Sequence, residues 1–120
     1  LVKTEKVELY GKGAVVERAK NYLETHYSQN ISLQDVACEV NLDKSYLGRI
    51  FRDELGVTVM GYLKDVRLQH AKEQLLQGRP AAEAALATGF GDPTYFSRYF
   101  KQEVGCTPSQ YRREHIRTGK

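Results

Sequence analysis

Asp43-Lys44-Ser45-Tyr46-Leu47-Gly48-Arg49-Ile50-Phe51-Arg52-Asp53-Glu54-Leu55-Gly56-Val57-Thr58 returns 49 residues later as Asp92-Pro93-Thr94-Tyr95-Phe96-Ser97-Arg98-Tyr99-Phe100-Lys101-Gln102-Glu103-Val104-Gly105-Cys106-Thr107. Carried on to Tyr62 and Tyr111, the match keeps eight positions identical: Asp43/Asp92, Tyr46/Tyr95, Arg49/Arg98, Phe51/Phe100, Glu54/Glu103, Gly56/Gly105, Thr58/Thr107 and Tyr62/Tyr111. Each copy opens on aspartate, whose carboxylate caps the unpaired N–H groups of a helix start. Each closes near a glycine, which accepts the left-handed backbone of a helix end. In between, Leu47, Ile50, Phe51 and Leu55 recur at the spacing of one helix face, as do Phe96, Tyr99, Phe100 and Val104. The opposite faces carry Ser45, Gly48, Arg49 and Arg52 in the first copy and Thr94, Ser97, Arg98 and Lys101 in the second. Small residues around an arginine suit a helix entering the DNA major groove. They permit close approach, and arginine pairs with guanine through two hydrogen bonds. A solvated face with a surface arginine has the same composition, but its return in the same register favours the groove-reading alternative.

Outward from the repeat, Ser32 followed by Asp35 forms a capping pair for a helix over 33–40. Leu33, Val36, Ala37 and Val40 face inward there, with Cys38 against the core or at its edge. Asn41-Leu42 reads as a tight turn, asparagine being tolerant of the left-handed region. Two short helices joined by so brief a turn make a helix-turn-helix unit. Upstream, 14–27 reads as a helix with Val15, Ala19, Tyr22, Leu23 and His26 on one face. Residues 1–13 read as a linker remnant in which Val7-Glu8-Leu9-Tyr10 alternates like a short strand. Downstream, Thr58 caps a helix over 59–77, about 28 Å long and able to connect two units. An alanine-rich helix over 81–88, the turn Gly89-Phe90-Gly91 and the second repeat helix follow. Thr107-Pro108 opens a last helix, whose Arg112, Arg113 and Arg117 fit either a solvated end or phosphate contact. The expected fold is all-α, divided into a first subdomain over 14–57, a connecting helix over 58–78 and a second subdomain over 79–120.

Composition bounds the function. The 120 residues are 41% apolar and carry a net charge of +3, which permits nucleic-acid binding without demanding it. The chain opens on Leu1 and its only methionine is Met60, so it reads as a piece of a longer protein. No apolar run reaches the length of about 18 residues that a membrane helix needs. Cys38 and Cys106 lack metal-ligand spacing and read as reduced thiols of a cytoplasmic protein. His26, His70 and His115 are scattered, and no carboxylate pair or nucleophile–base set stands out, so no catalytic residue, metal or cofactor is expected. A helical module that binds a partner protein through these polar faces is the competing reading.

The second repeat resembles the signature of the AraC/XylS family of bacterial transcription regulators: Gly89-Phe90, Tyr95-Phe96-x-Arg98-x-Phe100-Lys101, Gly105-x-Thr107-Pro108 and Tyr111-Arg112. The connecting helix is similar too, at Tyr62-Leu63, Arg67-Leu68 and Ala71. The likeness runs from about Val15 to Arg113. It implies seven helices in two homeodomain-like helix-turn-helix subdomains joined by a long helix, both recognition helices entering successive major-groove segments. On that likeness Ser45, Gly48, Arg49, Thr94, Ser97 and Arg98 face bases. Lys44, Arg52, Lys101 and Arg112 lie near phosphates, as do the helix starts at Ser32 and Thr107. The resemblance further implies a cytoplasmic, nucleoid-associated output domain of an activator. Its partners would be double-stranded DNA and RNA polymerase, with an effector or signal domain preceding it in the parent. The fragment itself is expected to be monomeric. Family members often carry isoleucine where this chain has Ala81 and Ala84, so that helix is less apolar and is expected to pack more loosely.

Overall fold

The computed structural model describes residues 2–118, and the side chains of residues 11–115. Among the described residues the chain is all-helical: α1 (Val2–His26), α2 (Leu33–Glu39), α3 (Lys44–Leu55), α4 (Val59–Leu76), α5 (Ala81–Ala87), α6 (Pro93–Val104) and α7 (Pro108–Thr118). Seven helices are the number expected. The alternating run Val7–Tyr10 departs from its reading, because it is helical: α1 begins at Val2 and breaks only at Gly11, with φ 81°. A helix satisfies its own backbone, whereas a strand needs a neighbour, and there is none among the described residues.

The chain divides into two compact units, 1–65 and 66–120, with the boundary inside α4. In the first unit Val16, Ala19 and Leu23 of α1, Val36 and Ala37 of α2, and Leu47, Ile50 and Phe51 of α3 are buried together. Val59 and Leu63, from the first half of α4, complete that core. In the second unit Leu68, Ala71 and Leu75 of α4 are buried with Ala84, Ala85, Phe96 and Phe100. Leu76 is 45% exposed, one position off the Leu68–Ala71–Leu75 face. Ala84 and Ala85 are fully covered despite their size.

The caps fall where the residue types put them. Asp43 accepts from the backbone N–H groups of Ser45 and Tyr46, and Asp92 accepts from that of Thr94. Gly56 and Gly105 take left-handed φ values of 77° and 100°. Thr58 Oγ1 accepts from Gly61 N at 2.9 Å and Thr107 Oγ1 from Gln110 N at 3.1 Å, the same cap in both copies. Behind each recognition helix an identical pair packs edge to face. Phe51 and Tyr62 have centroids 5.7 Å apart at 74°, and Phe100 and Tyr111 5.4 Å apart at 72°. The Tyr62 hydroxyl donates to Glu24 of α1. Burial first, then Glu24 and Glu17, push it up to about 12, so it stays protonated and donating well past neutral pH.

Candidate nucleic-acid interface

Each unit presents two short helices at a turn. α2 and α5 have seven residues apiece, and the buried set Val36, Ala37 and Val40 returns 48 positions on as Ala84, Ala85 and Thr88. The turns close alike. Leu42 N donates to Ala37 O at 3.0 Å, and Phe90 N to Ala85 O at 3.0 Å. The residue before each is left-handed, Asn41 at φ 57° and Gly89 at φ 90°. The second turn then holds one extra residue, Gly91 at φ 79°, before its capping aspartate. The spacing therefore shifts from 48 to 49 inside the motif, while both recognition helices keep twelve residues.

On α3, Lys44, Ser45, Arg49 and Arg52 are exposed and Gly48 is half-buried. A Cβ built on Gly48 meets nothing within 4 Å, so the fold does not require glycine there. The Arg49 guanidinium stands over the Tyr46 ring, 5.5 Å from its centroid. On α6, Thr94, Arg98 and Lys101 are exposed and Ser97 is half-buried. Tyr95, the counterpart of Tyr46, is stacked with Tyr99 at 6.0 Å and lies 6.4 Å from Phe90. Arg67 of α4 is half-buried; burial lowers its pKa and the Tyr95 phenol works against that shift.

The remaining expected contacts divide. Arg112 is half-buried and its Nε donates to Gly78 O at 3.1 Å, which ties α7 to the C-terminal end of α4, where a cation is favoured. That bond engages one of its nitrogens within the protein. The backbone N–H groups of Ser32 and Thr107 are taken by Asp35 Oδ2 and Gln110 Oε1, both at 2.9 Å. Pro108 has no N–H to offer. At these two helix starts any phosphate must be held by later backbone donors of the first turn. Cys38, expected against the core or at its edge, is exposed, with Gln34 Nε2 donating to its Sγ at 3.3 Å.

Charge is unevenly shared. The first unit has nine basic and ten acidic side chains, the second nine basic and five acidic. The attraction for a polyanion is concentrated in the second. Among the described residues no group of three or more His, Cys, Asp or Glu side chains is placed to hold a metal ion. No described helix is long and apolar enough to cross a membrane.

Comparison with known proteins bears on this geometry. Residues 36–114 match a family described as a helix-turn-helix domain. The chain is 37% identical over 99 residues to the arabinose operon regulatory protein of Escherichia coli, covering 81% of this chain and 34% of that protein. The chain thus spans about a third of that relative's length. Among solved structures it is similar to the C-terminal domain of AraT, a response regulator from Geobacillus stearothermophilus. The TM-score there is 0.79 at 37% identity, covering 83% of this chain and 84% of that one. It is also similar to a Chromobacterium violaceum transcriptional regulator described as containing an AraC-type DNA-binding domain. In that pair the TM-score is 0.80 at 25% identity, covering 88% and 95%.

Proposed function

We propose, because the chain belongs to the AraC-type helix-turn-helix family of transcription regulators, that it binds double-stranded DNA by inserting α3 and α6 into successive major-groove segments. The segments would lie about one helical turn, ~34 Å, apart. The observation that carries this reading is the repeated exposed face, Arg49 and Arg98 in the same register, each backed by a buried phenylalanine packed edge to face on a half-buried tyrosine. Ser45, Gly48 and Arg49 would meet bases in the first segment, and Thr94, Ser97 and Arg98 in the second. Lys44, Arg52 and Lys101 would hold phosphates, with Arg112 a lesser contributor because of its bond to Gly78. The second unit, with its basic excess, supplies most of the salt-sensitive attraction.

The domain acts without catalysis, as the output end of a larger cytoplasmic regulator. It activates transcription beside RNA polymerase, the isolated fragment is monomeric, and an effector or signal domain lies elsewhere in the parent. The relative that regulates the arabinose operon supports the regulatory part of this reading, and the length of that relative outside the match supports the larger parent.

Selection of bound duplexes from a random library, followed by affinity against salt, tests it. Two short blocks with centres about 10 base pairs apart are expected. A lack of enrichment would move the reading to a protein partner. Gly48 gives a second test. Glycine inside a helix costs roughly 0.5–1 kcal/mol relative to alanine, and a Cβ here meets no neighbour. Gly48→Ala is therefore expected to raise stability by about that amount while weakening binding to the selected site, if backbone and DNA approach closely. Unchanged binding would leave Gly48 as a spectator.

A further inference from the structure

The two recognition helices share a Tyr-x-x-Arg sequence, Tyr46/Arg49 and Tyr95/Arg98, yet use its tyrosine differently. In the second unit Tyr95 is engaged by aromatic rings, stacked with Tyr99 at 22° and near Phe90. In the first unit the counterparts of Tyr99 and Phe90 are Ile50 and Leu42, both aliphatic and both buried. No aromatic ring competes for the face of Tyr46 from those positions, and Arg49 takes it at 5.5 Å. Arg98 has no such ring contact among the described residues.

From this juxtaposition we propose that Tyr46 is a positioning residue, setting the Arg49 side chain over its ring before DNA arrives, so that the first unit reads with an ordered arginine and the second with a mobile one. The inference rests on the base-reading role given to Arg49 above. Tyr46 is suited to the task because it is half-buried, packed against the first core, and its backbone N–H is capped by Asp43. Residues three apart on a helix are neighbours, so the contact asks for no distortion. A cation over an aromatic face is attracted by the ring quadrupole. Holding a long, flexible side chain in advance lowers the entropy lost on binding. Gly48, beside Arg49, carries no side chain, so the first unit's hydrogen-bonding reach falls on Arg49 and Ser45.

The test compares the wild-type chain with Tyr46→Phe, Tyr46→Leu and Arg49→Ala, and with Tyr46→Leu in the Arg49→Ala background. Discrimination is measured base pair by base pair in both blocks of the selected site. Tyr46→Leu is expected to lose about two- to fivefold of discrimination in the first block only. Tyr46→Phe is expected to keep it, and the loss should vanish when Arg49 is already absent. Equal losses for Phe and Leu, a loss in both blocks, or a loss persisting without Arg49 would each overturn the positioning role. An Arg49→Ala chain that keeps first-block discrimination would instead remove the base-reading role itself. A measurement without DNA stands beside these. In the free protein the Arg49 side-chain protons should show a ring-current shift that Arg98 lacks and that Tyr46→Leu abolishes. Equal shifts for both arginines would end the proposal.

Discussion

Phe100→Ala is expected to cost about 3–5 kcal/mol of stability, since a large buried ring is replaced by a methyl group and the neighbours collapse only in part. Phe100 is fully buried in α6, 5.6 Å from Phe96 and edge-on to Tyr111 of α7. Few other large side chains fill this core, where Ala71, Ala84 and Ala85 contribute little volume. A domain with only about 5–15 kcal/mol of total stability feels such a loss directly. Denaturant unfolding followed by circular dichroism would measure it. A midpoint equal to that of the parent would mean that α6 does not bury this face.

Arg98→Ala is expected to leave the melt unchanged, because the side chain is exposed and fills no cavity. Its effect should fall on recognition. About 1–3 kcal/mol of discrimination should disappear at base pairs of the second block, roughly a 5- to 150-fold change, while affinity for random duplex changes little. Titration against selected and scrambled duplexes at fixed salt separates the two. Equal losses on both would make Arg98 a phosphate contact rather than a reader.

The recognition helices were legible because several local signals agreed. Aspartate caps, closing glycines and a three-four apolar rhythm all point to α3 and α6, and the structure buries Leu47, Ile50 and Phe51 of the one face and Phe96 and Phe100 of the other. Other elements were less legible for physical reasons. In α4 the buried positions run 59, 63, 68, 71, 75. The five-residue step after Leu63 breaks the rhythm of a single face, so no one three-four register picks out the whole buried set. Thr88 was hidden because a hydroxyl argues for the surface. Its Oγ1 donates to Ala84 O at 2.6 Å, which lets it stay buried where the first unit has Val40. The extra Gly91 concealed that equivalence by shifting the spacing. Cys38 misled in the opposite sense: cysteine is usually buried, but here it lies off the Val36–Ala37–Val40 face. The polar faces carrying the candidate contacts were readable from residue type alone. The Ser32–Asp35 capping pair was readable from residue type and spacing as well, whereas the Gln110 bond to Thr107, the Arg112 tie and the Tyr46–Arg49 contact were not, because each depends on which rotamer meets which neighbour.

The division of the chain inside α4 has a practical corollary for building hybrid regulators. A recombination joint placed before Val59 would strip Val59 and Leu63 from the hydrophobic core they complete, and one placed after Leu76 would carry off Leu68, Ala71 and Leu75. The natural crossover point for swapping half-sites between relatives therefore lies between Asp65 and Val66, in mid-helix, where no loop advertises it.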